Sequence, residues 1–140
     1  MEYRRFGNAI IAGLTPGDEV MACIQEIAQK EQITLGKIEG IGAIRSFRIG
    51  LFDTDTKEYH VSEYRGQYEI ISLLGNLSIM NGETYSHCHL AAADASNCVI
   101  GGHLNEAVIS GVGELVITML DGRLERVFSP EIGLNVYRFD

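Results

Sequence analysis

His87 and His89 flank a cysteine in Ser86-His87-Cys88-His89-Leu90, and a third imidazole follows in Gly101-Gly102-His103-Leu104. Three of the chain's four histidines thus fall within 17 residues, in a stretch that otherwise reads as apolar strands. Side chains alternate across a β-strand, so His87 and His89 share one face with Cα atoms roughly 6.8 Å apart, and two imidazoles at that spacing can converge on one ion. A third from a neighbouring strand completes a three-nitrogen set. Neutral imidazoles suit zinc, with nickel, iron and manganese also compatible, and three histidines with one position open is the arrangement of a catalytic zinc site. A divalent metal on His87, His89 and His103, zinc first, is the expected cofactor. Hydrogen-bonded core or interface histidines are the competing expectation, and they fit a lone imidazole better than this cluster.

The neighbouring residues are weighed the same way. Cys88 turns to the opposite face by strand alternation and stays out of a site built by its neighbours. Glu114 sits in an apolar strand where an unpaired charge is costly, so it is the candidate general base, with an arginine across a subunit boundary as its alternative partner. Glu39 reads as a strand-end carboxylate in water, and His60 as a surface residue. Asn105 and Ser86 read as turn and strand residues with local hydrogen bonds. Gly101-Gly102 and Gly111-Val112-Gly113 match neither GxxxxGK[ST] nor GxGxxG before a helix, so they read as bulges or points of close backbone approach.

The elements that must position these residues are mostly strands. Thr15-Pro16-Gly17-Asp18-Glu19 offers an N-cap and a first-turn proline, and Val20, Cys23, Ile24, Ile27 and Ala28 then recur at helical spacing, which predicts a helix from about Pro16 to Gln32. Strands are predicted over 3–14, 33–44, 46–53, 59–63, 67–80, 83–93, 98–103, 106–121, 124–128 and 135–140, with Asn81-Gly82 and Asp121-Gly122 as turns. One helix inserted early in a run of strands predicts α+β, a mostly antiparallel sheet with one principal helix near the N-terminus. One helix cannot cover so wide a sheet. Strands such as Glu114–Leu120 are apolar on both sides, so the open face is expected to bury against another copy of the chain.

Composition sets the class. With 140 residues, 46% hydrophobic and 21% charged, the chain suits one domain over 1–140, and no repeat or linker suggests a second. Three cysteines without a CxxC pair read as small buried hydrophobes in a reducing compartment. No run approaches the roughly 20 apolar residues of a membrane span, and Met1–Ile10 does not read as a signal peptide, so a cytoplasmic protein without a membrane partner is expected. A net charge of −8 argues against nucleic acid, whose binding rests on Lys and Arg displacing counterions. The near neighbours Arg4-Arg5, Arg45 with Arg48, and Arg123 with Arg126 read as solvated charged faces.

The order Gly40-Ile41-Gly42-Ala43, Glu69 through Asn76, His87-Cys88-His89, Gly101-Gly102-His103-Leu104 and then Glu114 resembles the PPC family, the plant and prokaryote conserved domain, over nearly the whole chain. The resemblance implies a compact α+β domain that assembles as a homotrimer, and a metal at His87, His89 and His103. In plants the domain is joined to an AT-hook, a basic arm for the DNA minor groove, and this sequence holds no such arm. A cupin-type metal enzyme is similar in its HxH on a strand and a later histidine, but the glutamate a cupin places a few residues after HxH is replaced by Leu90-Ala91-Ala92-Ala93, and the Gly101–Leu104 stretch lacks the second cupin motif. The expected function is a metal-binding homotrimer acting as a binding or regulatory module toward a small molecule or protein. The alternatives are a metal-dependent enzyme of hydrolase or lyase type on a small molecule, with Glu114 as base, and a DNA-binding protein, which the charge disfavours.

Overall fold

Apolar residues in long alternating runs fold into one curled sheet in a computed structural model that describes residues 1–139. The order is β1 (Glu2–Phe6), β2 (Ala9–Leu14), α1 (Val20–Lys30), β3 (Gly36–Phe52), β4 (Tyr59–Met80), β5 (Glu83–Ala93), β6 (Val99–Met119), β7 (Glu125–Ser129) and β8 (Leu134–Arg138). The architecture is α+β as expected, and every ladder is antiparallel except the bridge between Ile79 of β4 and Glu125 of β7.

Several boundaries differ from the sequence reading. The pairs predicted over 33–53, 59–80 and 98–121 are single long strands, because the residues between them bend the chain without breaking it. Register shifts at Gly40/Gly42, at Ile44/Ser46 and at Arg48/Ile49 each insert a residue and turn β3 against its neighbours. Conversely, the stretch predicted as one strand over 3–14 is a hairpin, β1 and β2, turned at Gly7 with φ of +62°. The last strand ends at Arg138, and Asp140 lies outside the described residues.

The helix starts later than predicted, since Asp18 competes for the backbone ahead of it. Thr15 to Asp18 closes a turn in which the Asp18 N–H donates to Thr15 O at 3.0 Å and the Asp18 carboxylate accepts from the Thr15 N–H at 2.8 Å. Glu19 is the cap instead: its carboxylate accepts from the N–H groups of Met21 at 3.0 Å and Ala22 at 2.7 Å. It also accepts from the Ala107 N–H at 3.0 Å, which ties the start of α1 to β6.

The apolar face of α1, Val20, Cys23, Ile24, Ile27 and Ala28, is buried with Ile10, Leu14, Ile38, Leu77, Leu115 and Ile117 from the sheet. Each such large aliphatic side chain contributes roughly 1.5–3 kcal/mol of burial free energy. Beneath the helix, β3, β4, β5 and β6 close into a ring, each pairing with two of the others, and the β7–β8 hairpin hangs from β4. The face away from α1 is open: Ile41, Ile71 and Leu74 are 55%, 56% and 53% exposed. Cys23 and Cys88 are buried as expected, whereas Cys98, at the turn into β6, is exposed. Among the described residues no helix is long and apolar enough to cross a membrane.

Candidate metal centre

Alternation along β5 sends Cys88, Leu90 and Ala92 into the core and leaves His87 and His89 on the other face. His103 reaches them because β6 lies beside β5 in a register that makes His103 the Cα partner of His89. That register needs the two glycines before it. A Cβ on Gly101 would stand 2.6 Å from Leu90 O, and one on Gly102 would stand 2.8 Å from Gly50 O, so only glycine lets the three strands close around the site. The close approach read from Gly101-Gly102 is thus a packing requirement.

The three rings form a compact triangle. Their centroids are 5.1 Å apart for His87–His89, 4.9 Å for His87–His103 and 5.6 Å for His89–His103. One nitrogen from each lies within 4.8 Å of the others. Two nitrogens on a tetrahedral zinc stand about 3.4 Å apart, so a small adjustment of the rings brings the set to bonding geometry. The donor set fits a divalent transition metal. Burial pushes the His87 imidazolium down to about 4, helped by the charges of His103, Arg126 and His89. Burial, with His89 second, also lowers His103. Both are therefore neutral, with a lone pair available, at ordinary pH.

The cluster stands in the wall of a cavity of about 770 Å³, which the β7–β8 hairpin and the Gly50–Phe52 end of β3 complete. Three residues there escaped the sequence reading. Tyr59 packs edge-on to His103 at 6.0 Å, and its hydroxyl donates to Asn105 Oδ1 at 2.8 Å. Asn105 therefore holds a wall residue 46 positions away in sequence, not the local partner expected of it. Tyr85 also lines the cavity, and its hydroxyl accepts from Asn135 Nδ2 at 3.2 Å.

Arg126 is the largest departure. Expected on a solvated face with Arg123, it is 7% exposed and lines the cavity. Its Nε donates to Ser78 Oγ at 2.9 Å, Nη1 to Asn135 O at 2.8 Å and Nη2 to Asn76 Oδ1 at 2.9 Å. It is the buried residue of β7, between half-buried Glu125 and Val127.

Glu114 is elsewhere. Leu115 and Ile117 face the core, so alternation leaves Glu114 exposed on the open face, in a groove of about 420 Å³ with Glu39, Ile41 and Leu74. Within the single chain it does not line the histidine cavity. In the single chain this carboxylate is solvated and needs no buried partner. Glu39 pairs with Lys37 at 2.9 Å and likewise stays out of the cavity. Exposed His60 has Glu58 at 3.9 Å, and Cys88 points away, its thiol pushed up to about 12 by burial.

An α+β protein with one helix over a closed antiparallel ring and a histidine triad at a cavity wall is the class defined by fold and site. The chain belongs to the Plants and Prokaryotes Conserved (PCC) domain family, whose profile matches residues 1–121. Similar solved structures include a protein of Bacteroides thetaiotaomicron named as a candidate DNA-binding protein, 33% identical with TM-score 0.96 over 99% of this chain and 96% of that one. A plant- and prokaryote-conserved protein of Pyrococcus horikoshii is 31% identical with TM-score 0.86, over 99% of this chain and 94% of that one. A metal-containing protein of Archaeoglobus fulgidus is 30% identical with TM-score 0.87, over 99% of this chain and 97% of that one. No curated protein matched the chain.

Proposed function

We propose that the chain is a metal-bearing homotrimeric module that binds a small molecule at a divalent cation, zinc first, held by His87, His89 and His103. The observation that carries this reading is the convergence of three imidazole nitrogens within 4.8 Å at the wall of a cavity large enough for a ligand. A three-nitrogen set leaves a coordination position for that ligand, and a bound zinc would supply Lewis acidity there. The metal-containing Archaeoglobus relative supports the metal, and the exposed apolar face supports assembly.

Binding stands ahead of hydrolase or lyase chemistry because no aspartate or glutamate lines the cavity among the described residues. Without one, the carboxylate base that hydrolysis at such an ion commonly uses is missing from the single chain. Nucleic acid is not part of the reading, despite the name of the Bacteroides relative, because a net charge of −8 repels phosphate.

Trace-metal mass spectrometry on untagged protein tests the proposal, with His87→Ala and His103→Ala prepared identically and sized by light scattering. The expected result is about one ion per chain in the wild type, lost in both variants while the mass of three chains persists. Wild-type protein without metal after incubation with zinc, nickel and manganese would overturn it.

A further inference from the structure

We infer that the small molecule is an organic carboxylate, anchored by Arg126 at one end and by the metal position at the other. The inference rests on the metal reading above and names the ligand class of that site.

Arg126 differs from the other paired arginines. The exposed guanidinium groups of Arg5, Arg48, Arg65 and Arg123 each have a glutamate partner, to Glu31, Glu106, Glu63 and Glu125. Arg126, the buried one, has no carboxylate in ion-pair range among the described residues; its acceptors are a serine, an asparagine and a backbone carbonyl, all neutral. Burying a charge without a counter-charge is costly. The fold nevertheless holds this one firmly, with the rings of Tyr85 and Tyr137 at 5.0 and 4.1 Å from its central carbon.

Three of its five N–H groups are used by those acceptors, which leaves one on each of Nη1 and Nη2. Two such donors match the two oxygens of a carboxylate. The same cavity holds the three imidazoles, which are neutral as ligands, so a loaded site would carry the charge of the ion and of Arg126 with no acidic residue among the described residues of the lining to offset it. A ligand anion supplies that charge. Phe52, Phe128 and Leu134 line the rest of the cavity, which suits a carbon skeleton between charged ends. Phosphate fits less well, since sites for it usually gather several cations or a run of backbone N–H groups, and here one guanidinium is present.

The test is calorimetric titration of cobalt-loaded protein with acetate, pyruvate and succinate, against the neutral acetamide and succinamide and against inorganic phosphate, with the visible cobalt spectrum followed in parallel. At least one carboxylate should bind one per chain, perturb the cobalt spectrum, and exceed its amide and phosphate by about tenfold or more. Arg126→Gln should weaken that carboxylate about tenfold or more at unchanged metal content, and Arg126→Lys less. Carboxylates no tighter than amides, tighter phosphate, or a metal-loaded Arg126→Gln binding like the wild type would overturn the inference. Should Arg126→Gln fail to fold, the comparison of carboxylate with amide on wild-type protein decides alone. Wild-type protein that takes up no metal overturns the underlying reading, whereas loaded protein indifferent to every carboxylate overturns only this inference.

Discussion

His89 and His103 are Cα partners at the end of the β5–β6 ladder, with ring centroids 5.6 Å apart, so the histidine triad joins two neighbouring strands. His87 and His89 come from one strand and have their spacing fixed by the pleat, whereas His103 depends on the inter-strand register. A third ligand from a second strand therefore couples metal affinity to β-pairing. Substitution of His89 or His103 by alanine should each lower zinc affinity by more than the about 10–100-fold that loss of a group hydrogen-bonded to a ligand typically costs. Competition with a zinc chelator measures this. An affinity retained in His89→Ala would remove that residue from the set.

Proton binding gives a separate handle on the metal-free protein. His87 titrates near 4 in the fold, chiefly through burial, against about 6.5 in an unfolded chain. Between those values the unfolded state holds the extra proton, so folding stability is present above pH 6.5 and is lost as the pH falls toward 4. His103 is lowered as well and acts in the same direction. Asp18 and Asp53 are held below the ordinary carboxylate value of 3.8, so their loss comes at more acidic pH. The melting temperature of chelator-treated protein should fall across pH 6.5 to 4, and His87→Gln should flatten that fall. Equal slopes in the two proteins would contradict the assignment.

What was legible in the sequence followed from periodicity. The HxH spacing put two imidazoles on one face, and Cys88 on the other, because a strand allows nothing else. The boundaries of β5 match the reading, since turn residues bracket it at Asn81-Gly82 and Asp94 to Asn97. Long-range register was not legible. Nothing local tells that Arg126 meets Asn76, 50 residues away, or that Tyr59 meets Asn105. The exposure of Glu114 in the single chain was hidden for a related reason: an apolar strand reads as buried on both faces, and only the sheet shows that one face is left open there. Glu19 outdid Thr15 as a cap because its carboxylate also reaches Ala107 on β6, a contact no helix signal contains.

The open face leads to the last prediction. Leu74 is the Cα partner of both His89 on β5 and Glu39 on β3, so the exposed apolar surface runs up to the histidine cluster. Apolar residues exposed this far beside one another are costly in a lone chain and mark a contact surface. If this surface carries the proposed assembly, a charge placed on it is desolvated in the interface but remains hydrated in the free chain. Ile71→Lys with Leu74→Lys should therefore lower the mass seen by light scattering from three chains toward one. Both side chains are exposed in the single chain, so its circular dichroism should persist, with each change altering intrinsic stability by about 0.5 kcal/mol or less. Wild-type protein of single-chain mass at micromolar concentration would refute the trimer. A variant that keeps the full mass would instead place the contact on another surface and leave this face to a different partner.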